Sequence, residues 1–152
     1  MVRDLHIDSS CIILNGKHIR LFIVSQGKTY STESERGHLF APIKGYPKMK
    51  EVRAGDIIFS SVSIPETTIK SINVAFESSV KTYGTKEGQR IDCLYDELSS
   101  PLKISPLKKK LAGRDPFNLD GHIPERGYIH RLDTKAARLL LNEIIKSGNK
   151  PL

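Results

Sequence analysis

The chain has no tryptophan, and only 7% of its 152 residues are aromatic. Its two cysteines, Cys11 and Cys93, show no CxxC and no metal-ligand spacing, which argues against a disulfide framework and against a structural zinc site. Such sparse cysteine use suits a reducing compartment. No apolar run reaches the ~18 residues that a spanning helix needs, and the N-terminus, with Arg3, Asp4 and Asp8, carries no signal-like apolar stretch. A soluble, cytoplasmic protein is expected.

Catalytic motifs are equally scarce. Gly27-Lys28-Thr29 looks like the end of a phosphate-binding loop, but the upstream glycine of G-x-x-x-x-G-K-[ST] is replaced by Phe22, so the cradle of backbone N–H groups is not encoded. His6, His18, His38, His122 and His130 form no HxH or HExxH pair, and neither metal nor cofactor is predicted. Asp92, Asp96 and Glu97 lack the second acid and the lysine of a metal-dependent nuclease; Leu98-Ser99-Ser100 follows instead. No G-x-S-x-G elbow occurs. A catalytic site within this chain is therefore not expected.

What is present is enough for one folded unit. Hydrophobic residues make up 38%, sufficient to bury a core without metals or crosslinks. The net charge of +7 favours a polyanionic partner, because each phosphate neutralised by Lys or Arg releases condensed counterions. Lys108-Lys109-Lys110, with Lys103 and Arg114, falls in a stretch punctuated by Pro101, Pro106 and Pro116. It reads either as a solvated face or as a loop that follows a phosphate backbone.

Periodicity sets out the elements. Cys11-Ile12-Ile13-Leu14 followed by Asn15-Gly16 predicts a hairpin into a strand over 19–24. The Ser-, Thr- and Glu-rich stretch 28–36 predicts a loop with one helical turn at most. A glycine turn over 52–56 leads into Ile57-Ile58-Phe59, and 69–76 and 89–96 alternate as half-buried strands, the second with Ile91, Cys93 and Tyr95 on one face. Asp133 or Thr134 caps a final helix whose apolar stripe is Ala137, Leu140, Leu141, Ile144 and Ile145, ending at Gly148. The pattern predicts an α+β fold, a mixed β-barrel of five to six strands with flanking helices. Residues 1–18 form an arm and hairpin strand, 19–147 the domain, and 148–152 the start of a linker, which favours a fragment of a longer nuclease.

Four segments in a fixed order carry a family resemblance. They are Val24-x-Gln26-x-Lys28-Thr29-Tyr30; Gly37-x-Leu39-Phe40-Ala41-Pro42-x-Lys44; Met49-x-x-Val52-x-x-Gly55-Asp56-Ile57-Ile58-Phe59; and Pro116-Phe117-Asn118 with Gly127-Tyr128 before the last helix. Together they resemble the EVE branch of the PUA-like superfamily, relatives of YTH domains, in the form found beside GTP-driven or HNH-type restriction nucleases. The resemblance implies a PUA-like barrel that holds a flipped, modified base in an aromatic-lined pocket. It implies a partner nuclease or GTPase domain, in the same chain or another, which this module directs onto modified double-stranded DNA. The favoured base is 5-hydroxymethylcytosine or 5-methylcytosine, with N6-methyladenine as a further possibility.

By the same resemblance Phe40 and Tyr30 are the stacking walls, with Tyr46 as a further aromatic. Phe40 stands where the family often has tryptophan, so less π surface is on offer. Ser25, Gln26, Ser60 and Ser61 supply hydrogen bonds to the base edge, and Asn118 the rim. Lys28, Lys44, Lys108, Lys109, Lys110 and Arg114 meet phosphates. Two other classes stay open: an RNA-binding PUA-like module, which the charge serves equally well, and a stand-alone nuclease domain.

Overall fold

A run of β-prone residues, Leu21-Phe22-Ile23-Val24, is buried on both sides, and the fold is assembled on the strand that contains it. In a computed structural model, residues 6–7, 11–14, 17–42, 47–63, 66–83, 86–124 and 128–148 are described. The elements among them are β1 (His6–Ile7), β2 (Cys11–Leu14), β3 (Lys17–Ser25), α1 (Tyr30–Arg36), β4 (His38–Pro42), β5 (Ile57–Val62), β6 (Thr68–Tyr83), β7 (Lys86–Lys103), α2 (Lys108–Leu111), β8 (Ile129–Arg131) and α3 (Thr134–Lys146). The Asn15-Gly16 turn, Lys44, Tyr46, most of the N-terminal arm and residues 149–152 of the expected linker lie outside the described residues.

Six strands in the order β8-β3-β5-β6-β7-β4 form a curled half-barrel, and β2 and β1 extend it beside the first half of β3. The β3–β5 pair is parallel, Leu21 facing Ile57 through Ser25 facing Ser61; the other pairs are antiparallel. The six-strand curl and its helices agree with the α+β mixed barrel of five to six strands with flanking helices that the pattern predicts, and β1 and β2 add to it. The parallel ladder requires a crossover, and α1, β4 and a 3₁₀ turn at Pro47–Glu51 supply it. Asp56 pins the start of β5: its Oδ1 accepts from the Arg20 N–H (2.9 Å) and its Oδ2 from the Arg53 N–H (2.7 Å). Gly55, at φ 94°, makes the preceding turn in a conformation that a side chain resists.

Alternation along the strands sorts the apolar side chains into two layers. Leu21, Ile23, Phe59, Ile72 and Leu102 meet α3, which contributes Ala136, Ala137, Leu140 and Ile144. Phe22, Val24, Ile58, Ala75, Ile91 and Cys93 fill the concave side with Leu39 and Met49. The Asp133 carboxylate caps α3 by accepting from the Lys135 N–H at 2.6 Å. Of the expected stripe, Ile145 is exposed and Ala136 is buried instead, so the covered face is rotated slightly toward the N-terminal side of the prediction.

Two local expectations are corrected. The stretch after β3 is a 3₁₀ turn, Gly27–Thr29, running into the seven-residue helix α1, where low propensity predicted a loop. Tertiary contact overrides propensity there: Glu33 turns inward and is buried, and Gly37, at φ 70°, closes the C-terminus. The second correction is β6, which is not half-buried over its first part. Ile69, Ser71, Ile72 and Asn73 are all buried, because the strand lies mid-sheet between two layers.

Candidate functional site

The concave layer is apolar for most of its length and turns polar at one end. Val24 and Gln26 follow one another on the inward face of β3 and the turn after it; Ser60 and Asn73 face them from β5 and β6, and Tyr95 from β7. The Gln26 backbone N–H donates to the Ser61 carbonyl at 2.9 Å, which fixes the turn on the end of the parallel ladder.

A buried network connects these side chains. Gln26 Nε2 donates to Glu33 Oε2 at 2.7 Å and to the Tyr95 hydroxyl at 3.0 Å. Tyr95 in turn donates to the His38 carbonyl at 3.0 Å, and the Tyr128 hydroxyl donates to Glu33 Oε2 in a short hydrogen bond. Asn73 Nδ2 donates to Ser60 Oγ at 2.6 Å. Gln26 Oε1 and Asn73 Oδ1 are left as buried acceptors with no protein donor among the described residues. Such atoms cost free energy unless a water or ligand meets them, and the Ser71 hydroxyl, buried on the same face, is a third polar group of this kind.

Burial governs the electrostatics. It raises the Glu33 carboxyl above its ordinary range, opposed by the bonds from Tyr128, Gln26 and Thr29. It also raises Tyr95 and Tyr128, whose phenols stay protonated and so act as donors. Tyr30 stands where the network reaches solvent: its ring meets Tyr95 edge-on at 6.3 Å, and its hydroxyl donates to Glu97 Oε1 at 3.1 Å in an exposed bond. Lys28 and Thr29 are exposed in the turn just before it.

A second concavity, of about 760 Å³, opens on the other side of the strand ends. Ser25, Ser61, Ser63, Thr67, Asn118 and His122 line it, with Ile123 and Pro124. It adjoins a smaller one of about 210 Å³ beside Lys108. The loop from Asn118 to His122 forms the shared wall. Asn118 Oδ1 accepts from the Asp120 and His122 N–H groups, and Gly121 lies so close to α2 that a Cβ there would sit 2.3 Å from the Lys108 carbonyl oxygen. Only glycine fits there, so the groove wall is tied to the lysine-bearing helix.

The residues expected in one pocket are thus divided. Gln26, Tyr30 and Ser60 meet at the polar end of the barrel; Ser25, Ser61 and Asn118 belong to the outer groove. Phe40 joins neither: Leu39 and Ala41 take the inward face of β4, and the Phe40 ring lies across Gly88 of β7. Among the expected phosphate contacts, Lys28, Lys109 and Lys110 are exposed, Lys108 is half-buried, and Arg114 Nε donates to the Lys110 carbonyl at 3.2 Å. Glu33, Asn73, Tyr95 and Tyr128 were not anticipated. Two of them carry a sequence signal: Tyr95 shares an alternating face with Ile91 and Cys93, and Tyr128 falls in the last of the four ordered segments.

No group of three or more His, Cys, Asp or Glu is placed to hold a metal ion among the described residues, and none of their helices is long and apolar enough to cross a membrane. No protein-family model matches the chain, and no curated protein matches it. Among solved structures, the fold is similar to the NMR structure of Rpa0253 from Rhodopseudomonas palustris, a structural genomics target, with a TM-score of 0.59 and 16% identity over 84% of this chain and 92% of that one. At that identity the likeness concerns the fold.

Proposed function

We propose that this chain is an EVE-type recognition module that binds DNA carrying a modified base, 5-hydroxymethylcytosine or 5-methylcytosine in particular, by flipping that base out of the duplex, and that it directs a nuclease partner to such DNA. The observation that carries the reading is the polar end of the barrel, where Gln26, bonded to the Tyr95 hydroxyl, and Asn73, paired with Tyr95 across the sheet, carry buried acceptors beside the half-buried Tyr95 and Tyr30 rings. A ring that stacks and a few fixed polar atoms are what an extruded base needs. Extrusion costs a few kcal/mol, offset by stacking of ~1–3 kcal/mol per aromatic contact and by hydrogen bonds to the base edge. The net charge of +7, with exposed Lys28 at the mouth and Lys109 and Lys110 on α2, supports contact with the phosphate backbone.

The test is a binding panel at fixed salt: otherwise identical duplexes, each with one modified base, beside unmodified duplex and structured RNA competitors. The expected result is tighter binding of a modified duplex than of its unmodified parent, with RNA competing poorly. Equal affinity for every duplex would reject the reading, and stronger competition by RNA would move the module to an RNA-binding role.

A further inference from the structure

The hydrogen bonds around Gln26 determine which end of its carboxamide is free. Tyr95 spends its one hydroxyl proton on the His38 carbonyl, which can only accept, so toward Gln26 the Tyr95 oxygen is an acceptor and demands the amide nitrogen. Glu33 Oε2 already receives the Tyr128 proton and makes the same demand at 2.7 Å. Both hydrogens of Gln26 Nε2 are therefore used, and Oε1 is left facing away from its partners as a bare acceptor on a side chain only 4% exposed. Asn73, fully buried, repeats the arrangement: its nitrogen is bound to Ser60 and its oxygen is free.

We propose that Gln26 is a specificity-determining residue that selects a base carrying an exocyclic amino group, with Asn73 as a second acceptor and with Glu33 and Tyr95 as positioning residues that bind the Gln26 nitrogen and so leave its oxygen as the open acceptor. The proposal rests on the modified-base reading above. A cytosine or adenine derivative brings N–H donors to these oxygens. A thymine or uracil derivative brings a carbonyl in the same place, leaving acceptor against acceptor in a site from which water is displaced.

The discriminating pair is 5-hydroxymethylcytosine against 5-hydroxymethyluracil, identical except for the amino or keto group at ring position 4. Each is placed opposite an abasic site, so that unpairing costs the same, and the wild-type chain is compared on both and on the parent cytosine and thymine. The expected result is a preference for the amino base of about tenfold or more. Gln26→Met, which removes the acceptor at similar volume, is expected to collapse that ratio. Glu33→Gln, which keeps the acceptor but releases its orientation, is expected to reduce it; thermal melting checks that each variant is folded. Should both hydroxymethylated bases bind equally, and each above its parent, the free oxygens are meeting buried water only and the inference is overturned while the modified-base reading stands. If neither binds above its parent, both fall. Because the wild-type ratio is itself decisive, a variant that fails to fold does not rescue the proposal.

Discussion

Gln26 and Glu33 meet across the junction between β3 and α1, the amide nitrogen of one 2.7 Å from a carboxylate oxygen of the other. The contact couples the end of the parallel ladder to a helix whose sequence has little intrinsic tendency to form. Glu33 also receives the Tyr128 hydroxyl from just before β8, so one buried carboxylate ties three parts of the chain together.

That carboxylate gives stability a defined pH dependence. Burial raises Glu33 above its ordinary 4.5, so between that value and its folded one the native chain holds a proton that the unfolded chain has released. Stability is greatest below this interval and falls as pH rises through it. Asp56, raised by burial likewise, adds a slope of the same sign. Urea midpoints taken from about pH 4 to pH 8 should therefore fall more, or rise less, in the wild type than in Glu33→Gln; Asp56 adds a slope of the same sign in both proteins, and His38, whose imidazole burial lowers, adds one of the opposite sign below its ordinary 6.5. Identical slopes would mean that Glu33 does not titrate in this way.

Phe40 and Gly88 form a packed pair rather than a wall for a ligand. A Cβ on Gly88 would lie 2.0 Å from the Phe40 ring, so Gly88→Ala should destabilise by about 1–3 kcal/mol in the wild type and much less when Phe40 is alanine. The check is a double-mutant cycle by chemical denaturation, with an expected coupling of about 0.5–3 kcal/mol. Phe40→Ala alone should lower the melting temperature and leave discrimination among duplexes, per folded molecule, unchanged.

Cys93 should be chemically silent in the folded state. Burial is the main reason its thiol is pushed up to about 12, and it is almost fully covered, so at neutral pH neither thiolate nor access is available to a disulfide reagent. In a Cys11→Ser background, labelling with an aromatic disulfide is expected only on addition of denaturant. Rapid labelling under native conditions would show that the concave layer opens readily at β7.

Replacing Lys108, Lys109 and Lys110 together by alanine should weaken binding to modified and unmodified duplex by the same factor. Ammonium groups on a short exposed helix meet phosphates rather than base edges, and each lost contact should flatten the log-log salt dependence by ~0.9. A salt titration on both duplexes decides the matter. An unchanged slope would make the cluster a solvated face, and a loss confined to modified DNA would place it in the reading site.

Much of the scaffold was legible because it depends on local pattern. The Leu21-Phe22-Ile23-Val24 run, the Gly55-Asp56 turn before Ile57-Ile58-Phe59 and the capped stripe of α3 each state their own structure through apolar period and turn chemistry. The polar residues of the candidate site carry no such period. Glu33, Ser71 and Asn73 are of types that usually face water, and they face inward here because β6 is central in the sheet and α1 closes the end of the barrel over them. Likewise Ser25 and Gln26 are neighbours in the chain, yet Ser25 lines the outer groove while Gln26 turns into the buried network, since successive residues of a strand point to opposite sides. Composition and periodicity thus determined the class of fold and its charge. Which polar atoms stand together, and which of them are left without a partner, was decided only when parallel pairing of β3 with β5 brought residues 24–26, 60–61, 71–73 and 95 to one end of the half-barrel.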